Sequence, residues 1–474
     1  MSNTSEVIVV GGGVIAKATA LALSDYDKSV IIVAPAELEK SSASRAAGAM
    51  LGSFAEFSKD KDEAADRAEG ELRIRAGRMW SEWYSRHAEG GEHVDAVHRG
   101  TYIIANNMGL SDVENAEYIQ RRADKYGERN EWVDPKDVLG LHPHRLSRPQ
   151  RVLHLPDEGY IDSGVLQKVL DDAIARRPEI TVVDNAVVHV ALDGNRPSVT
   201  TRSGVVYSAA DLVIAAGVES TNLLSLLELP VHQGIPQLLG GRGVSMMIEG
   251  ELQFDGVFRT PNRDFSCGSH LVPLAEGRTY LGATNRLETS GFASPKATIG
   301  ELHALCHSLA NEMNVRLRTA SVLEYRVGYR PISSDGYPIY GATAHPNVFV
   351  ATGTYRNGIL MAPAIADAVA RDVTGQLQEQ ENNFTPLGRQ RLFVDRDINA
   401  TMVSSLRQVV SFMQEPDGNL PYGRAAELER LLAGLLEAAV GIGDSEFPDM
   451  FAEVTSRYPI AEAMPLLLYK VNNQ

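Results

Sequence analysis

Cysteine is scarce: the 474-residue chain has two, Cys267 and Cys306. Two thiols cannot build a disulfide framework or a four-thiolate metal site, and they suit a reducing cytosol as two isolated packed groups. Basic charge is short as well. Acidic residues outnumber basic ones 61 to 45, a formal net charge of −16, and that balance repels phosphate backbones and anionic membrane surfaces. No nucleic-acid partner is expected. No stretch reaches the roughly 18–20 uninterrupted apolar residues a membrane helix needs. Met1 to Glu6 carries no basic segment, and Lys17 interrupts the apolar run from Val7, so neither a signal peptide nor a membrane anchor is read and a cytoplasmic protein is expected. Internal repeats and low-complexity segments are also missing. What remains is ordinary globular composition, 44% hydrophobic and 22% charged, long enough for two to four domains with sizeable cores.

The chain opens with four β-branched residues, Val7 to Val10, then Gly11-Gly12-Gly13, then apolar residues at helical spacing from Val14 to Leu23. Strand, tight turn and helix follow from that order. Ser29 to Val33 supplies a second strand and completes a βαβ unit. Asp60 to His87 has a helical pattern, Val94 to Asn107 alternates like a strand, and Tyr118 to Tyr126 and Asp134 to Leu141 read as short helices. Val165 to Arg177 is an amphipathic helix. Asp211 to Gly217 and Val348 to Gly353 are buried strands running into glycine, so the chain returns twice to the first unit. Gly234 to Thr284 has the alternation and turns of an antiparallel sheet, and Thr298 to Asn314 reads as a helix. The expected fold is α/β: a nucleotide-binding unit from 1–58, 150–232 and 328–392, interleaved with an antiparallel-sheet substrate unit from 59–149 and 233–327. After Arg391, helical faces such as Leu428, Leu431, Leu432 and Leu435 predict a helical extension over 393–474, through which a second copy or a partner could dock.

Gly11-x-Gly13-x-x-Ala16 sits between strand and helix, the context that gives this short pattern meaning. The first glycine makes the turn, the second admits a pyrophosphate, and a small third residue lets helix pack on strand. A bare structural turn is the weaker alternative. The end of the second strand reads Ala34-Pro35 where an acidic side chain would meet the ribose hydroxyls, and the nearest carboxylate is Glu37. Either Glu37 or backbone groups serve the ribose, or the cofactor is held less tightly. Ser42 to Met50 is a run of small residues able to lay backbone amides against a phosphate or a flat ring. Gly328-Tyr329-Arg330-Pro331, Asp335 to Gly341 and Ala351 to Ala364 follow in order.

With these four ordered motifs, the chain resembles the D-amino-acid oxidase family of flavoproteins, most closely its glycine and sarcosine oxidase branch, over about Val7 to Arg391. The resemblance implies FAD in a Rossmann-like unit. It places Gly11, Gly13, Val14 and Ile15 on the pyrophosphate, Ala34 and Pro35 near the ribose, and Ser42, Ser44, Arg45, Ala46, Ala47, Gly48, Ala49 and Met50 near the ribityl chain and flavin. Val187 or Val188 would back the adenine. Ala216 and Gly217 would close the middle crossing, and Gly353, Thr354, Tyr355, Arg356, Asn357, Gly358, Ile359 and Leu360 would lie along the isoalloxazine. Arg330 would pair with a substrate carboxylate, with Arg356 beside it, and a guanidinium suits a planar anion. No metal is expected: His142 and His144 flank Pro143 in what reads as a solvated loop.

Relatives of the glycine oxidase kind tend to carry tyrosine where His270 stands, methionine where Asn285 stands and histidine where Thr354 stands. By the resemblance, His270 and Asn285 line the substrate side of the flavin. Polar groups there suggest a more polar substrate than glycine or sarcosine, because buried polar groups need partners. No lysine falls between Gly240 and Ser290, where sarcosine-oxidase relatives place one that promotes reaction with oxygen. The leading expectation is FAD-dependent oxidation of a small amino acid or secondary amine by hydride transfer to flavin, with molecular oxygen as acceptor. A dehydrogenase or tailoring oxidase of a polar intermediate, and a non-catalytic partner subunit, are the alternatives.

Overall fold

The computed structural model describes residues 4–37, 42–59, 64–107, 112–194, 196–227, 234–262, 268–288, 292, 295–377 and 382–389. The helical extension expected over 393–474, and Cys267, lie outside these. A six-stranded sheet runs in the order Ile339–Ala342, Val348–Thr352, Asp211–Ile214, Val7–Val10, Val30–Val33, Ile180–Val183. All neighbours are parallel except the first pair. Val7, Ile8 and Val9 are fully buried, which is why the strand reads as an unbroken apolar run rather than an alternation. The helices Val14–Asp25 and Gly358–Val373 cover one face and pack on each other and on the sheet.

A ten-stranded sheet forms the second layer, with Leu238–Glu249 pairing along most of its length with Ser321–Ser333. Pro149–Tyr160, which the sequence assigned to the nucleotide unit, is hydrogen-bonded into this large sheet against His98–Asn106. Its alternation is half-buried, so sequence pattern does not say which sheet it joins. The expected helix over Tyr118–Tyr126 is the second half of Asp112–Tyr126, and Asp134–Leu141 holds only a 3₁₀ turn at Pro135–Asp137. The last helix, Gly358–Val373, carries Pro363 inside it. The carbonyl of Leu360 there accepts from Trp80 Nε1 at 2.8 Å, a contact across the molecule that no local signal announces. No helix among the described residues is long and apolar enough to cross a membrane, and no group of three or more metal-ligating side chains forms among them.

Below the large sheet the loop after Met50–Leu51 wraps Glu158, whose Oε1 accepts the amides of Phe54 and Ala55. Its Oε2 is buried with no hydrogen-bond partner among the described residues. Burial raises the Glu158 carboxyl to about 7, against the lowering from the two amides and Arg259. A carboxyl raised on folding contributes stability that is fully present below its unfolded value of 4.5 and is lost as pH rises through 7. Relative to Glu158→Gln, the parent should therefore lose roughly 3 kcal/mol between about pH 5 and about pH 8. Urea unfolding of both proteins across that window checks it; parallel stability curves would contradict it.

Candidate active site

A cavity of about 540 Å³ opens along the C-terminal ends of the parallel strands, where the order of an α/β sheet reverses. At its centre Gly11 has φ +138°, and a Cβ there would stand 2.2 Å from the carbonyl oxygen of Ala215. Only glycine fits this turn. Gly12, Gly13, Val14 and Ile15 line the wall at the N-terminus of the first helix, and Val14 N–H donates to Ser44 Oγ at 3.0 Å. The Ser42–Ala47 stretch crosses next. Its carbonyls are pinned from two sides: Ala46 O accepts from Tyr280 Oη (2.9 Å) and Ser245 Oγ (3.1 Å) of the large sheet, and Arg45 O accepts from Ser163 Oγ (2.9 Å) at the start of the helix Ser163–Ala175.

At the far end two motifs well separated in sequence meet. Tyr355 N–H donates to Pro331 O at 2.8 Å, and Thr354 bridges to Ile332. Arg330 Nη1 donates to Thr284 O and to Asn285 Oδ1, both at 3.1 Å, and Asn285 Nδ2 donates to Tyr355 Oη at 2.6 Å. The guanidinium lies face-on to Gly243: a Cβ there would meet Nη1, Nη2 and Cζ at 2.5–2.6 Å. Arg356 has different company, since its Nη2 stands 3.0 Å from Glu56 Oε2. Arg259 meets the other Glu56 oxygen at 2.6 Å. Burial alone would raise the Glu56 carboxyl, but the charges of Arg259 and Arg356 outweigh it and hold it well below the usual carboxylate range. Arg356 is thus charge-compensated inside the protein.

Of the residues expected from sequence, Gly11, Gly13, Val14, Ile15, Ala34, Pro35, Ser42, Ser44, Ala46, Ala47, Val187, Ala216, Gly217, Arg330, Thr354, Tyr355, Arg356, Gly358 and Ile359 line this one cavity. Arg45, Gly48, Ala49, Met50, Val188, Gly353, Asn357 and Leu360 are not among its lining residues. Val188 is 49% exposed, so of the two valines Val187 is the one at the cavity. Asn285 stands behind Arg330. His270 is also absent from the lining: it is buried, its ring stacked on Tyr280 at 5.8 Å with Nδ1 at 3.3 Å from Gly268 O. Burial, with Arg259 adding to it, pushes the His270 imidazole down to about 3, so it is neutral near pH 7.

The polarity of His270 and Asn285 is thereby answered by the protein itself, and the inference of an unusually polar substrate loses its ground. Gly243, Ser245, Glu56 and Asp184 were not anticipated. Each acts across a strand pairing or a loop contact distant in sequence, and no local motif marks them. The residues fit the dinucleotide that the sequence implies. The glycine turn leaves room that a side chain would fill, an uncapped helix start adjoins it, and small residues continue to the arginine end.

A family model described as FAD dependent oxidoreductase matches residues 6–371. The chain is 26% identical over 387 residues to the glycine oxidase of Geobacillus kaustophilus, covering 79% of this chain and 95% of that one. It is 25% identical over 381 residues to the bifunctional protein ThiO/ThiG of a Nostoc species, covering 77% of this chain and spanning about half, 52%, of that relative. Among solved structures, glycine oxidase from Geobacillus kaustophilus superposes with a TM-score of 0.68 at 22% identity, covering 80% of this chain and 96% of the other. L-proline dehydrogenase from P. horikoshii does so at 0.67 and 16%, covering 82% and 99%. With the glycine turn, the pinned small-residue loop and the strand-end cavity all inside a family match that takes in more than half its length, the chain belongs to the FAD-dependent oxidoreductases.

Proposed function

We propose that this protein oxidises the C–N bond of a small amino acid or secondary amine whose carboxylate is held by Arg330. The observation that carries the reading is the fixed guanidinium at the end of the cavity, aligned by Thr284 O and Asn285 against Gly243. When bound, FAD supplies a two-electron acceptor for the hydride leaving the carbon that bears the amine. The chain's share is placement. Arg330 fixes the carboxylate, Tyr355 Oη is oriented by the Asn285 amide, and the Thr354–Ile359 segment defines the wall along which the substrate lies. Glu56, shared between Arg259 and Arg356, holds the Arg356 guanidinium on the protein side of this wall. No side chain need take a proton from the amine during hydride loss: the amine enters unprotonated, the product is the protonated imine, and water hydrolyses it. The guanidinium at the end of the cavity agrees with the names of the glycine oxidase relatives. Molecular oxygen is the acceptor in this reading, and the enzyme acts in the cytoplasm.

The test is anaerobic mixing with glycine, sarcosine and D-amino acids while flavin absorbance is followed, then admission of air. Bleaching by one of them supports the reading, and peroxide on re-oxidation identifies an oxidase. Flavin that none of these amines bleaches would overturn it. Arg330→Met should lower kcat/KM about 100-fold, the loss of a charge-assisted bidentate pair, with flavin content unchanged. Gly243→Ala should raise KM about tenfold, because the added methyl group displaces the guanidinium by a few tenths of an ångström or more. Steady-state kinetics on flavin-loaded protein reads both, and an unchanged KM in the second would show that the face-on contact does not set the geometry.

A further inference from the structure

The adenosine end of the cavity lacks an acid where strand-end geometry calls for one. In a βαβ dinucleotide site the carboxylate that meets the ribose hydroxyls stands at the end of the second strand, and here that position is Ala34. Glu37 was the nearest substitute in sequence. It is not among the residues lining the cavity, and it pairs with Arg202 at 3.2 Å with both side chains about two-thirds exposed.

The neighbouring strand offers another. Val30–Val33 pairs in parallel with Ile180–Val183, Val33 opposite Val183, and Ala34 N–H donates to Val183 O at 3.1 Å. The next residue on that neighbour is Asp184, which therefore emerges beside Ala34 at the same level of the sheet. Asp184 lines the cavity together with Ala34, Pro35 and Ala36, and its Oδ1 accepts the Ala36 amide at 2.7 Å. That bond fixes the carboxylate against the loop that follows the second strand. Two other acids line the cavity, and neither stands at the end of these two strands. Asp171 is taken by Lys17 at 2.7 Å. Glu219 follows Asp211–Ile214, on the opposite side of the first strand from Val30–Val33.

We propose that Asp184 is the ribose-binding acid of this protein: the function has moved one strand sideways, from the end of the second strand to the end of its parallel neighbour. One carboxylate oxygen holds the Ala36 amide and the other accepts from a ribose hydroxyl of the adenosine half of FAD. The inference rests on FAD being the cofactor, and not on the identity of the amine substrate.

The experiment is a binding cycle on apoprotein, read by quenching of flavin fluorescence, with FAD and with an FAD analogue whose adenosine ribose lacks the 2′-hydroxyl. Asp184→Ala should weaken FAD binding about 10- to 100-fold, the range of a hydrogen bond to a charged acceptor. The parent should lose affinity for the deoxy analogue, and Asp184→Ala should lose nothing further. Glu37→Gln should bind FAD within about twofold of the parent. Asp184→Asn, which keeps an acceptor for the Ala36 amide, guards against a folding defect and should fall between parent and Asp184→Ala. Equal FAD affinity of parent and Asp184→Ala overturns the proposal, as does an undiminished penalty for the deoxy analogue in that variant. Parent protein that binds no FAD would overturn the cofactor itself, while a parent that binds FAD but whose flavin no amine bleaches leaves this result standing and removes only the substrate reading.

Discussion

The approach of Gly11 to Ala215 is the constraint on which the site depends. Two parallel strands end side by side, and the chain turns away from one of them with φ +138° in a space that has no room for a Cβ. Because the turn is that tight, the first helix starts immediately beyond the sheet and its N-terminus adjoins the cavity. A wider turn would move the helix away from the small-residue loop and break the Val14 amide contact to Ser44. The strand order reverses at this same strand, with Val30–Val33 on one side and Asp211–Ile214 on the other. The crevice that an open α/β sheet offers to a ligand therefore lies here.

The second sheet holds the other wall still. Tyr280 and Ser245 both donate to Ala46 O, and a Cβ on Gly48 would stand 2.7 Å from the Tyr280 ring. The Ser42–Ala47 stretch is thus clamped between a ring and a helix start. Its smallness follows from the clamp, since larger side chains would force the two sheets apart. The long pairing of Leu238–Glu249 with Ser321–Ser333 brings Gly243 and Arg330 onto adjacent strands. Sheet register, with no flexible loop involved, sets the position of the guanidinium.

What could be read in the sequence were features whose physical cause is local. A β-branched run into glycine, a helical spacing and a strand ending in Ala-Thr-Gly each fold much the same way wherever they are placed, and all lie where they were expected. The membership of Pro149–Tyr160 was not legible, because a half-buried alternating strand satisfies either sheet. His270 and Asn285 were placed at the substrate by resemblance alone. The structure supplies them with internal partners, a backbone carbonyl and a stacked ring for one, Arg330 and Tyr355 for the other. Asp184, Gly243 and Glu56 depend on which strand or loop lies alongside, and a single sequence carries no local signal for that.

Two arginines that line one cavity and are identical in chemistry differ in what stands behind them. Arg356 faces a buried carboxylate that stays ionised and that it shares with Arg259. Arg330 Nη1 donates to Thr284 O and Asn285 Oδ1, which fix its orientation. Neither guanidinium loses its proton in a protein, Glu56 is held far below neutrality, and His270 is already uncharged. Glu158, the buried carboxyl nearby that titrates near 7, bonds to the amides of Phe54 and Ala55 rather than to either arginine. Both guanidiniums at the cavity therefore keep their charge across the neutral range. In the reaction proposed above, the pH dependence would then come from the amine, which must be unprotonated to react, rather than from these two arginines.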